Sequence, residues 1–220
     1  MALDSVPDSR QLYSSMGVFV GLWNVEMVSK DSPSFHSATG RLPSVAAGRI
    51  AFALELEGPV ATIDAACASS LVALAVAFET GGHALVAGVN AICGTASHES
   101  FHGSGMLSSD GRCKTFDEAA DGYGRSEACI VFCVVRGSFQ GHKVLSCSVT
   151  HGGKSAGLTA PSQSGQERAI RSALAKAGIQ NVLQLESHGT GEGGCFFFCF
   201  EILLVKRKKK ILKELGLATL

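Results

Sequence analysis

Residues 58–71 bring a short β-branched run, a small-residue turn, one cysteine and the start of a long apolar helix together. Residues 60–63, from Val60 to Ile63, read as a short buried strand. Residues 69–79 then place Leu71, Val72, Leu74, Val76 and Phe78 among alanines, with no proline before Pro161, so the helix is expected to start just after Cys67. A strand that gives way to a helix across so few residues constrains the chain to a layered α/β arrangement.

That junction has a chemical consequence for Cys67. Unpaired N–H groups and the dipole at a helix N-terminus stabilise negative charge, which favours thiolate over thiol. The same backbone donors could hold an oxyanion. A sharp strand–nucleophile–helix turn lifts a side chain clear of the backbone, as in the serine elbow of hydrolases, although the flanking glycines of that elbow are absent here. Two readings stay open on the residues alone. Cys67 is either a poised nucleophile or one of eight cysteines behaving as a small buried hydrophobe.

The rest of the chain repeats the α/β theme. Residues 17–22 read as a buried strand bounded by glycines, and residues 44–56 as a helix facing inward through Val45, Ile50, Phe52, Ala53 and Leu56 and stopped by Gly58. Residues 84–92 form a second buried strand, so residues 60–92 have the order of a βαβ unit with a right-handed parallel crossover. A short helix over 97–107 leads to turn chemistry at 108–112 and a polar, glycine-bearing loop over 114–127, read either as a solvated connection or as a loop beside a site. Residues 128–136 and 143–150 look like two strands joined by a turn at 137–141. Residues 164–177 form an amphipathic helix closed by Gly178, with Arg168, Arg171 and Lys176 on its solvated side. A last strand over 182–186 delivers Ser187-His188-Gly189-Thr190-Gly191 at its C-terminal end, where open α/β sheets place ligand sites.

At 220 residues the chain is long enough for one medium domain with a sizeable core. Its zero net charge hides an asymmetry: residues 206–220 carry six basic groups and one acidic, hence +5, and the other 205 residues carry −5. A mildly acidic body offers no electrostatic footprint for nucleic acid. Eight cysteines scattered through apolar segments, with no secretory signal, read as reduced thiols in the cytoplasm, with a plastid left open. Zinc is not expected, because Cys129/Cys133 and Cys195/Cys199 have no matching His or Cys pair nearby. Residues 195–205 are apolar but fall short of the roughly twenty needed to span a membrane, which leaves only a surface anchor as a membrane reading.

The stretch Asp64-Ala65-Ala66-Cys67-Ala68-Ser69-Ser70-Leu71 resembles the nucleophile motif of the β-ketoacyl synthases, above all the ketosynthase domains of modular polyketide synthases and the related fatty acid synthases. Further segments match in order: residues 17–21, 84–90, 114–127, 157–162 and 186–191. The resemblance implies a thiolase-like layered αβαβα fold, of which the chain holds the N-terminal half and part of the C-terminal half. It also implies decarboxylative Claisen condensation of acyl and malonyl thioesters, with Cys67 as the acylated nucleophile. His188 matches one of the family's two catalytic histidines, and Thr190 matches a threonine the family uses on the pantetheine arm. A neutral imidazole whose Nε2–H points at a thioester oxygen can stabilise the enolate that decarboxylation leaves. No bound cofactor is implied, since the substrates ride on the phosphopantetheine of acyl carrier protein. The implied partners are that carrier protein and a second copy of the chain.

The sequence departs from the family after Gly191. No segment like the family's Lys-x-Asn-x-Gly-His follows, so its second histidine and its lysine have no counterpart, and the family strand that precedes residue 1 has none either. Residues 1–192 therefore read as a partial ketosynthase domain and residues 193–220 as an unrelated apolar and basic tail, such as a frameshift or a retained intron would produce. Two alternatives follow: a condensation-inactive fragment or pseudoenzyme that binds carrier protein or a full-length partner, and a cysteine hydrolase, for which no Asp or Asn is assignable as the partner of His188.

Overall fold

The computed structural model describes residues 13–23, 39–40, 42–137, 142–154, 162–180, 182 and 186–189, and the backbone of 199–201 and 204–206. Four strands form the main sheet: β1 (Gly17–Leu22), β2 (Val60–Ile63), β3 (Ala84–Asn90) and β4 (Ala128–Val134), in the order β2-β1-β3-β4. β1 is parallel to both β2 and β3, while β4 runs antiparallel to β3. The connection from β2 to β3 therefore joins parallel strands, as expected, but it steps over β1 rather than linking neighbours.

Period-two alternation sorts the core onto two faces of this sheet. Val18, Val20 and Ala87 point to one face, where Ala47 and Ala51 of helix α1 (Ser44–Ala53) cover them together with Met16 and Leu56. Phe19, Ala84 and Val86 point to the other, against Ala73, Leu74 and Ala77 of helix α2 (Ser69–Thr80). Each large side chain fully buried in this way, Phe19 for example, stabilises the fold by about 1.5–3 kcal/mol.

Three expectations are corrected here. β2 is not buried: it lies at the sheet edge with one neighbour, and Val60 is exposed. In α1 the inward face is Ala47 and Ala51, one helical turn apart, whereas Phe52 and Ala53 face solvent because each residue turns the side chain about 100° around the axis. The helix ends at Ala53, not at Gly58, which instead sits against the Met16 carbonyl where a Cβ would collide.

Helix α3 (Ala96–Gly103) follows β3. Beyond β4 the segment 143–150 is broken into β5 (Lys143–Ser146) and β6 (Val149–His151), and neither pairs with β4. At the break the Cys147 carbonyl accepts a hydrogen bond from Lys176 Nζ (3.0 Å), and Ser146 Oγ donates to the Ala173 carbonyl (2.7 Å). Both partners belong to α4 (Gln163–Ala177), which thus engages one backbone carbonyl and one side-chain hydroxyl at the break. The amphipathic reading of α4 holds, with Ser162 capping its start through Gly165 N–H (3.1 Å), Gly178 at its end, and Arg168, Arg171 and Lys176 exposed. β5 pairs antiparallel with β8 (Leu204–Lys206), and β6 with β7 (Cys199–Glu201). The expected strand over 182–186 lies largely outside the described residues.

Candidate functional site

Because β1, β2 and β3 are mutually parallel, their C-terminal ends lie on one side of the sheet, and three features gather there. The first is the turn that carries Cys67. Ala66 adopts a left-handed conformation (φ 51°), which costs a non-glycine residue about 1–2 kcal/mol. Its neighbours hold it there: Asp64 Oδ1 accepts from Ala66 N–H (3.1 Å), and the Ala66 carbonyl accepts from Ser69 Oγ (2.6 Å) and Ser69 N–H (3.1 Å). Ser69 Oγ also accepts from Ala65 N–H (2.8 Å). The reversal leaves Cys67 exposed, two residues before α2 begins, in agreement with the sequence reading.

The expected oxyanion donors are only partly available. The N–H groups of Ala65, Ala66, Ala68 and Ser69 are all spent inside the turn, Ala68 on the Ala65 carbonyl (3.1 Å). The helix start itself presses onto the sheet through two glycines. A Cβ on Gly21 of β1 would stand 2.5 Å from the Ser69 carbonyl carbon, and one on Gly88 of β3 would stand 2.7 Å from Ser70 Cβ. Only glycine permits this approach, which sets the height of Cys67 above the sheet.

The second feature is a stack at the exit of β1. Trp23 lies against Phe101 of α3 (centroids 5.5 Å apart), and the Arg125 guanidinium sits 5.4 Å from the Phe101 ring centroid. The third is the loop over 104–127, which is stitched rather than merely solvated. Ser108 N–H donates to the Tyr123 carbonyl and Tyr123 N–H to the Met106 carbonyl, both at 3.0 Å. Asp121 accepts from Lys114 Nζ (2.7 Å), Ser109 Oγ (2.7 Å) and Ser108 Oγ (2.9 Å), and these contacts, Lys114 first, hold its carboxyl well below the usual carboxylate range. At its far end the loop is moored to β3: Asn90 Nδ2 donates to the Ser126 carbonyl, and Ile92 N–H to Glu127 Oε1, each at 2.6 Å.

His188 belongs to this loop's surroundings. The Thr115 hydroxyl donates to the carbonyl of Gly189, the residue after His188. Much of His188 reaches solvent, yet the protein around its ring removes enough hydration to hold its pKa below the ordinary imidazole value. Cys67 and His188 are thus each held by their own neighbours, one on the turn after β2 and the other through a loop moored at the end of β3. Thr190 lies outside the described residues. Sequence reasoning missed Ser69 and Thr115. The signal for Ser69 was a hydroxyl at a helix start, a known partner for unpaired backbone groups; nothing local pointed to Thr115, whose partner is 74 residues away.

Among the described residues six cysteines stand outside any disulfide, and no three His, Cys, Asp or Glu side chains group as a metal site. No helix among the described residues is long and apolar enough to cross a membrane.

A mixed sheet flanked by helices, with a cysteine lifted at a strand-to-helix reversal, defines a thiolase-like α/β protein. The chain belongs to the β-ketoacyl synthase family: residues 3–139 match the family's N-terminal domain and residues 142–193 its C-terminal domain. It is 40% identical over 197 residues to erythronolide synthase EryA3 of Saccharopolyspora erythraea, covering 81% of this chain and 6% of that protein. It is 41% identical over 194 residues to the mycoketide-CoA synthase of Mycobacterium tuberculosis, covering 81% and 5%. Among solved structures, the ketosynthase from module 6 of the bacillaene synthase of Bacillus subtilis superposes with a TM-score of 0.70 at 31% identity, covering 84% of this chain and 35% of that one. The oxazolomycin ketosynthase domain OzmH KS7 of Streptomyces albus gives 0.69 at 29% identity, covering 81% and 34%. The chain thus spans about a third of the length of these ketosynthases and a small fraction of the synthases.

Proposed function

We propose that the chain acts as the acyl-accepting part of a polyketide β-ketoacyl synthase. The observation that carries this is the exposed Cys67 on the strained Ala66 turn at the start of α2. In the proposed reaction the Cys67 thiolate attacks the thioester carbonyl of an acyl group carried on the phosphopantetheine of acyl carrier protein. The S-acyl bond to Cys67 forms as the carrier thiol leaves. A malonyl thioester then loses carbon dioxide, and the resulting enolate attacks the acyl carbonyl and frees Cys67. His188, whose shielded ring favours the neutral form, would donate Nε2–H to the enolate oxygen. Thr190 would contact the pantetheine arm. The polyketide assignment draws on the relatives, which include erythronolide and mycoketide-CoA synthases.

Among the described residues the edge of β2 away from β1 has no partner strand in its sheet, and a second copy pairing there would give a homodimer. Cysteines held outside any disulfide among the described residues fit the cytoplasm as its setting. Condensation in this family calls on a second histidine and a lysine that residues 1–220 do not match. The stretch is therefore expected to acylate itself and to condense little or not at all.

Incubation with an acyl carrier protein thioester, followed by intact-mass and peptide mass spectrometry, tests both parts. One acyl group on Cys67, absent in Cys67→Ser, is the expected result; acylation spread evenly over the cysteines would overturn the assignment. β-Ketoacyl product at ordinary turnover after adding malonyl carrier protein would overturn the second part.

A further inference from the structure

His188 stands on residues 186–189, which form neither helix nor strand. The structure ties this segment down one residue further on, where Gly189 meets Thr115. Gly189 is left-handed (φ 62°), and a Cβ there would stand 3.0 Å from Thr115 Cγ2 and 3.2 Å from Thr115 Oγ1. A side chain at position 189 would therefore press on the Thr115 side chain, whose hydroxyl donates a hydrogen bond to the Gly189 carbonyl.

Thr115 is itself held in an unusual way. Its two neighbours, Lys114 (φ 44°) and Phe116 (φ 62°), are both left-handed without being glycine. Each such residue costs about 1–2 kcal/mol, so the pair persists only because its surroundings enforce it. The enforcement is visible. Lys114 Nζ reaches Asp121 Oδ1 (2.7 Å) and Asp110 Oδ1 (3.3 Å), and the Lys114 carbonyl accepts from Asp117 N–H (3.0 Å). Asp110 in turn accepts from Ser108 Oγ (2.7 Å) and Arg112 N–H (3.1 Å). A solvated connection has no use for two strained residues and a chain of charge-assisted bonds around one exposed threonine. Strain of this kind collects where a group has to be presented in one direction.

We propose that Thr115 is a positioning residue for His188: its hydroxyl, presented by the Lys114–Asp121 brace, fixes Gly189 and so the direction in which the imidazole faces the site. The role rests on the reading of His188 given under the proposed function. Serine can replace threonine here, because the hydroxyl is what Gly189 receives; valine, of the same shape, cannot.

The test is NMR of the whole chain with 13C-labelled histidine, the His188 ring signal being assigned by its loss in His188→Asn. In Thr115→Val the ring signal is expected to move and its titration to shift upward toward the ordinary imidazole value, as the segment leaves its shielded place. Thr115→Ser is expected to restore the wild-type signal. Gly189→Ala, whose methyl would press on the Thr115 side chain at a left-handed position, is expected to reproduce the valine effect. An unchanged His188 signal and titration in folded Thr115→Val would overturn the proposal, as would a serine variant that behaves like valine. Should Thr115→Val not fold, Thr115→Ala is read by the same criteria. A wild-type chain that takes no acyl group on Cys67 overturns the functional reading instead, and the titration comparison stands apart from it.

Discussion

Ser69 does more at the site than any residue except Cys67, and it does so through one oxygen. Its hydroxyl accepts from Ala65 and donates to Ala66, closing the reversal on both sides of the left-handed residue. Beneath it Gly21 supplies the space in which Ser69 and Ser70 sit. A single methyl at position 21 therefore acts on the turn from below. Gly21→Ala is expected to destabilise the fold by about 1–3 kcal/mol, as overpacking does, and to slow alkylation of Cys67 by lifting the helix start. Thermal melting and thiol-labelling rates check the two effects, and an unaltered rate in a destabilised variant would separate packing from the presentation of the thiol. Cys67 was legible in the sequence because a strand, a small-residue turn and an apolar helix follow one another locally. Gly21 was read there only as a strand boundary, since the helix it meets arrives from 48 residues further along.

Among the elements, the loop over 108–127 departs furthest from a plain reading. Asp110 and Asp121 both titrate below the ordinary carboxylate value, and Lys114 above the ordinary lysine value. For Asp121 the hydrogen bond from Lys114 leads and those from Ser109 and Ser108 follow; for Asp110 the bond from Ser108 leads; for Lys114 the bond to Asp121 leads. A depressed carboxyl pKa contributes stability that is fully present above about pH 4 and is lost as pH falls through the folded-state value. A raised lysine pKa contributes stability that is fully present below the ordinary lysine value and is lost as pH rises through the folded-state value. The brace is therefore expected to hold across the neutral range and to open on the acid side below the usual carboxylate range. Amide hydrogen exchange over 108–127 checks this: protection should persist from pH 8 to about pH 5. Asp121→Asn should lower protection at pH 7 without moving the melting of the sheet. Because these groups are exposed, high salt should weaken the brace in the same direction. Helix α1 shows the reverse case, in which the inward face was read as Val45, Ile50, Phe52, Ala53 and Leu56: Ile50 and Leu56 do pack on the core, but Phe52 and Ala53 face solvent. Hydrophobicity alone ranks phenylalanine above alanine, whereas a helix lying close on a sheet needs Ala47 and Ala51 at the contact.

At the scale of the molecule helices cover β1 and β3, whereas among the described residues β4 stands exposed. Ile130 and Phe132 lie opposite Gly88 and Val86, on the face that α2 covers further in, and Val131 lies opposite Ala87 on the α1 face. They are 54%, 60% and 55% exposed, so both faces of β4 are open. A flat apolar strand at a sheet edge is a ready template for association. Replacing Ile130 and Phe132 by lysine is expected to raise the concentration at which the chain stays monodisperse in light scattering. The melting transition should move by less than about 1 kcal/mol, as for other exposed positions. A collapse of folded signal in that variant would show that another part of the protein covers β4.

Local pattern was enough to establish the α/β class, strands read at 17–22, 60–63 and 84–92, helices read at 69–79 and 164–177 and found within two residues of those bounds, and Cys67 at the reversal between strand and helix. Each of these follows from periodicity or turn chemistry within about fifteen residues. The ordered run of motifs was enough to establish the family. Tertiary structure alone decided that β1 stands between β2 and β3, that β2 is an exposed edge, that residues 143–151 break where α4 bonds the Cys147 carbonyl and the Ser146 hydroxyl, and that Gly189 is met by Thr115. These depend on which distant surfaces come together, and contacts between residues far apart in the chain leave no periodic trace in the sequence.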